Sequence, residues 1–131
     1  MIGVDTNVLV RYVAQDDPEQ CKAVNALFEQ ASTKSKLFIS AAVVVECLWV
    51  LAGRYQLSDE QAKDFIRFLQ GSKKVSLERS EMFSKIIALD DVKAKDIADV
   101  IIASIALDAG CSEFFTFDIK LKRLIKSLPI Q

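Results

Sequence analysis

The sequence predicts an α/β domain built on a parallel central sheet of four to five strands, with helices on both faces. Two observations carry this. Short apolar runs alternate with longer helix-like stretches, and those runs are continuously apolar rather than alternating, as in strands buried on both sides. The chain has 131 residues, enough for one substantial core, and residues 1–131 read as a single domain.

The elements follow in order. The run "IGV" near the start is the first strand, and residues 8–15 form a short helix. Asp16 or Asp17 caps a second helix that has Pro18 at its first position and runs to about residue 32. "KLFIS" is the second strand, and Ser40 starts a strongly apolar helix that continues to about Tyr55. Ser58 and Gln61 form a capping-box pattern for a helix ending near Gln70. "KVSL" is a weaker strand and "SEMFSKIIALDD" a helix. "DIADVIIASIALDAG" is a buried helix stopped by Gly110. "EFFTF" is a strand, Asp118 follows it, and "IKLKRLIKSL" is a basic helix; a last strand surrounds Pro129 and Ile130.

Composition removes whole classes of chemistry. The chain has no histidine, which excludes Ser-His-Asp and Cys-His nucleophiles, histidine-based ribonucleases and histidine-ligated zinc. It has four glycines and neither GxxxxGK[ST] nor GxGxxG, so a phosphate-cradling loop is not expected. Net charge is −1, so any basic footprint for nucleic acid is local. The three cysteines, Cys21, Cys47 and Cys111, are far apart and form no CxxC; they read as reduced, mostly buried thiols of a cytoplasmic protein. No run reaches the roughly 18–20 apolar residues of a membrane span, and the N-terminus does not read as a signal peptide. The hydrophobic share of 51% leaves apolar surface for a partner interface, including a homodimer.

Four acids resist an ordinary structural reading. In open parallel sheets, ligands bind beyond the carboxyl ends of the strands. Asp5 follows "IGV" and Asp118 follows "FFTF", which places both on one sheet edge. Glu46 and Asp99 interrupt helices that read as apolar nearly all round, so their carboxylates are not all expected to reach water. Clustered carboxylates repel, and they persist only where cations, protons or donors offset them. An oxygen-rich pocket of Asp5, Glu46, Asp99 and Asp118 suits Mg²⁺ or Mn²⁺, with water and a substrate phosphate completing the shell. Each acid also has a structural alternative. Asp5 and Asp118 are possible helix N-caps; Asp99 lies near a helix start where negative charge is favoured; Glu46 has Arg11 or Arg54 as a possible partner. Asp96 is either a cap or a further ligand.

Together, "GVDTNVLVRYV", "ISAAVVVECLWVL", "DIADVIIASIALDAGCSEFFTFD" and "IKLKRL" resemble PIN-domain proteins, especially the VapC-type toxins of bacterial toxin–antitoxin pairs. The resemblance covers essentially the whole chain. It implies a PIN-like fold and a Mg²⁺- or Mn²⁺-dependent endoribonuclease acting on RNA. It also implies a cognate antitoxin and dimerisation. By residue, it matches Asp5, Glu46, Asp99 and Asp118 to the family's metal-binding acids. Asn7, beside Thr6, matches the polar pair next to the first acid, and Thr116 the hydroxyl two residues before the last. The family often carries an aspartate–phenylalanine pair near the last acid, whereas this chain reads Asp118-Ile119-Lys120-Leu121.

The substrate side is less sharply written. Lys120, Lys122, Arg123 and Lys126 form a basic segment that either tracks an RNA backbone or is a solvated helix face. Arg11 either touches phosphate or neutralises an acid. Tyr12, Trp49 and Phe68 read as core or interface rather than base-stacking platforms. Two other functions compete: a non-catalytic PIN-fold scaffold that binds protein, and an aspartate-based phosphotransfer domain. Asn7 stands where the latter needs the second acid of a DxD pair.

Overall fold

A computed structural model describes residues 1–128. Three strands form one parallel sheet in the order β1-β2-β3: β1 (Ile2–Gly3), β2 (Leu37–Ile39) and β3 (Val75–Leu77). Ile2 pairs with Leu37, and Leu37 with Val75. Parallel neighbours need crossover connections, and helices supply them. Helices α1 (Thr6–Ala14) and α2 (Pro18–Gln30) lie between β1 and β2. Helices α3 (Ala41–Arg54) and α4 (Asp59–Gly71) lie between β2 and β3. The chain then continues through α5 (Ser80–Ile87), α6 (Ala94–Asp108) and α7 (Ile119–Lys126).

Local chemistry sets most boundaries. Asp5, Asp17, Ser40 and Ser58 each accept a backbone N–H at the start of their helix, and Ser58 and Gln61 complete the capping box. Helix α6 ends in a Schellman motif. Cys111 N–H donates to the Ala106 carbonyl (3.2 Å) and Gly110 N–H to the Leu107 carbonyl (3.0 Å). Gly110 adopts φ +105°, a conformation that only glycine takes without strain.

The core gathers around α6 and α3, which pack against each other. Ile97 and Ile101 from α6 and Leu48 and Leu51 from α3 are buried with Leu37 and Ile39 of β2. Cys21 and Cys47 are buried and Cys111 is exposed, all three as free thiols. Burial pushes the Cys47 thiol up to about 12, so it stays protonated and unreactive in the folded protein. Tyr12 stacks on Phe28 with ring centroids 3.7 Å apart, whereas Trp49 and Phe68 are exposed. Among the described residues no helix is long and apolar enough to cross a membrane.

The sheet departs from expectation in one place. Three strands are present among the described residues, not four to five. The segment read as the strand "EFFTF" runs without sheet pairing, and its Phe115 and Phe117 are exposed. An apolar run becomes a strand only if a neighbouring ladder accepts it and its side chains find a core. The ladder bonds of β1 run to the β2 side, from Ile2 N–H to the Lys36 carbonyl and from Val4 N–H to the Phe38 carbonyl. The strand expected around Pro129 and Ile130 lies outside the described residues.

Candidate active site

The carboxyl ends of the strands deliver three polar residues: Asp5 after β1, Ser40 after β2 and Glu78 after β3. Two of them are helix caps for α3. Ser40 Oγ accepts the Val43 N–H, and Glu78 Oε1 accepts the Ala41 N–H at 2.9 Å. Asp5 is the N-cap of α1, with Oδ1 accepting the Val8 N–H at 3.1 Å. This leaves its second oxygen for another partner. Asp5 and Asn7 are exposed and Thr6 is half-buried.

Helix α6 carries Asp99, and its N-terminus is pinned from two directions. Asp59 of α4 accepts the Ala94 N–H at 2.8 Å. Asp96 accepts the Lys93 N–H at 2.9 Å and forms an ion pair with Lys120 at 2.6 Å. Asp96 is only 6% exposed, so this pair ties α7 to the first turn of α6. The structure thus shows Asp96 engaged as a cap and ion-pair partner.

Asp118 reaches the same region from α7, which packs on α6. It caps α7 by accepting the Leu121 N–H at 3.1 Å, and its own N–H donates to Thr116 Oγ1 at 3.1 Å. The route differs from the sequence expectation, since a loop and a helix cap, not a strand end, place this acid. The outcome for Asp99 is electrostatic. Burial, then the charge of Asp118, then that of Asp96 raise its carboxyl above the usual range, against a smaller opposing effect of Lys95.

Glu46 corrects a second expectation. The carboxylate is exposed, because α3 turns its buried stripe of Val44, Val45, Cys47 and Leu48 to either side of this position. It lines an open groove of about 440 Å³ with Trp49, Ile102 and Ile105. Ile102 lies one helical turn beyond Asp99 on α6. Among the described residues, no three acids or cysteines stand close enough together to share one ion. The structure therefore brings the charges of Asp118 and Asp96 to bear on Asp99, and leaves Asp5 and Glu46 on adjoining helices of the α1–α3–α6 stack.

The chemical type of the donors, though not a converged set of three among the described residues, suits Mg²⁺ or Mn²⁺. Every candidate is a hard carboxylate oxygen, and Mg²⁺ commonly takes one or two carboxylates with water and phosphate filling its shell. A cation beside Asp99 and Asp118 would offset the charge of Asp118, which adds to burial in raising the Asp99 carboxyl.

The basic residues are mostly occupied. Lys120 is paired with Asp96, and Arg123 with Asp91 at 3.0 Å. Arg11 reaches Gln20 (2.6 Å), Asp16 (3.2 Å) and the Tyr55 hydroxyl (3.4 Å). The Tyr55 hydroxyl donates to Asp16 at 2.6 Å; this bond, more than the charge of Arg11, holds the Asp16 carboxyl below the usual range. Lys122 and Lys126 are exposed. The capping roles of Asp59 and Glu78 were not read from the sequence, because each acts on a residue more than 30 positions away.

No curated protein and no solved structure shows a significant match to this chain. The sequence pattern that defines the PIN domain does match it, over residues 2–126. Members of that family are typically ribonucleases that use divalent metals. The chain belongs to the PIN domain family.

Proposed function

We propose that the chain is a Mg²⁺- or Mn²⁺-dependent endoribonuclease, the toxin of a toxin–antitoxin pair, with Asp5, Glu46, Asp99 and Asp118 as its working acids. The observation that carries this reading is the PIN domain match over residues 2–126, joined to the packing of α7 on α6 that brings the charges of Asp118 and Asp96 to bear on Asp99. Asp96 and Asp118 each cap a helix, and a cation would offset the charge they place near Asp99.

The roles follow from position. Asp99 and Asp118 would hold the cation, and Asp5, fixed by its cap bond, would approach from the end of β1. Glu46 would hold or orient water from α3. When bound, the cation supplies positive charge to the scissile phosphate and acidifies water. Thr116 fixes the Asp118 backbone, and Asn7 would orient the carboxylate or water beside Asp5. Lys120 holds Asp96 and thereby the spacing of α6 and α7. The reading includes an antitoxin chain and a second copy of this chain as partners. The exposed Trp49 and Ile102, which line one groove from α3 and α6, support an apolar protein contact.

The test is cleavage of a panel of structured and unstructured RNAs by the purified protein with Mg²⁺, Mn²⁺ or EDTA. The expected result is discrete cuts with either metal and none with EDTA. Cuts that persist in EDTA would overturn the metal-dependent mechanism. No cuts on any RNA, with no Mn²⁺ binding, would replace it by the protein-binding scaffold.

A further inference from the structure

The segment before Asp118 holds the most exposed aromatic rings in the molecule. Phe115 is 79% and Phe117 89% exposed. The two rings meet edge to face, with centroids 5.4 Å apart and planes at 83°. Each therefore has a fixed neighbour while keeping most of its surface in water. Leaving two phenylalanines so exposed costs stability that a strand or core position would recover.

Phe115 lines a groove of about 420 Å³ with Thr116, Lys122 and Lys126. Lys122 and Lys126 lie four residues apart on α7, hence on one helix face, and both are exposed. Neither forms an ion pair among the described residues, unlike their neighbours Lys120 and Arg123. Against these two cations the groove holds one acid, Glu113. Thr116, which lines the groove, accepts the Asp118 N–H through Oγ1, and this bond links the groove to the acid whose charge acts on Asp99.

A flat apolar ring that shares a groove with two cations matches a flat base joined to phosphates. A paired base hides its faces in the stack, so only an unpaired one offers them. An apolar protein segment would use the rings but not the two free ammonium groups. We propose that this groove is a single-stranded RNA subsite, in which one unpaired base stacks on Phe115 while Lys122 and Lys126 hold the flanking phosphates. The proposal rests on the ribonuclease reading for its choice of RNA, and it sets which strand state the site accepts.

The test is fluorescence anisotropy with the full chain carrying Asp99→Asn, in EDTA, so that the probe is not consumed. The probes are a labelled single-stranded RNA of about eight nucleotides and the same sequence as a duplex. The single strand should bind more tightly. Adding Phe115→Ala should weaken it about tenfold or more, and Phe115→Trp should retain binding. Adding Lys122→Ala should lower the slope of log affinity against log salt by about 0.7. Equal affinity for both strand states, or no effect of Phe115→Ala, would overturn the subsite. A single strand bound through Phe115 while the wild-type chain cuts no RNA would reject the ribonuclease and retain the groove. Metal-dependent cleavage left unchanged in rate and position by Phe115→Ala would reject the groove and retain the ribonuclease.

Discussion

Asp99→Asn is expected to reduce RNA cleavage by more than about a hundredfold while leaving the fold intact. Partners that merely orient a metal ligand typically contribute about 10–100-fold, and a carboxylate that holds the cation contributes more. The fold should survive because Asp99 makes no capping bond and carries a charge that its surroundings oppose. The sign of the stability change follows from linkage. The folded-state pKa lies above the ordinary carboxylate value, so between the two the folded protein binds more protons than the unfolded one. Stability of the metal-free protein therefore falls as pH rises through that window, and the loss persists at neutral pH. Asn removes it, so metal-free Asp99→Asn should melt at or above the wild-type temperature at pH 7. Asp5→Asn should also lose cleavage, and because Asn caps helices as well as Asp it should keep α1. Wild-type cleavage rates in both variants would remove the acids from the mechanism.

Asp96→Ala should behave in the opposite way, through stability before chemistry. It strips the Lys93 N–H of its acceptor and leaves the partly buried Lys120 without its counter-charge. A lost cap costs about 1 kcal/mol, and breaking a fully buried ion pair about 3–5. Lys120 keeps some solvent, so we expect about 2–3 kcal/mol in all, read by urea unfolding. Asp96→Asn retains an acceptor for Lys93 and should recover roughly the cap's share. A loss under about 0.5 kcal/mol in Asp96→Ala would show that the pair does not hold α6 and α7 together.

The helical frame was legible because its signals are local. Asp17 before Pro18, Ser58 with Gln61, and Gly110 after an apolar helix each act within a few residues, and each boundary lies where its cap puts it. The fourth expected strand is missing among the described residues because sheet pairing is a long-range property. "EFFTF" has the composition of a strand, and nothing within it says whether a ladder receives it. Glu46 is exposed against expectation for a related reason: a helix rich in apolar residues still has an open side, and periodicity on α3 is too weak to show which. The acids at Asp99 and Asp118 were found as types in a pattern. The effect of Asp118 on Asp99 depends on the packing of α7 on α6, and Lys120 as the partner of Asp96 is visible only once that packing is known. Phe115 and Phe117 show the converse. Their apolar character suggested burial, and their exposure gives them their interest.

The most direct test of the central claim is a Mn²⁺ titration of the wild-type, Asp99→Asn and Asp96→Asn chains, followed by the paramagnetic signal of free Mn²⁺. Saturable binding by the wild type, weakened at least about tenfold in Asp99→Asn and little changed in Asp96→Asn, is the predicted result. Equal binding by wild type and Asp99→Asn, or none by either, would contradict a cation site built on the acids of α6 and α7.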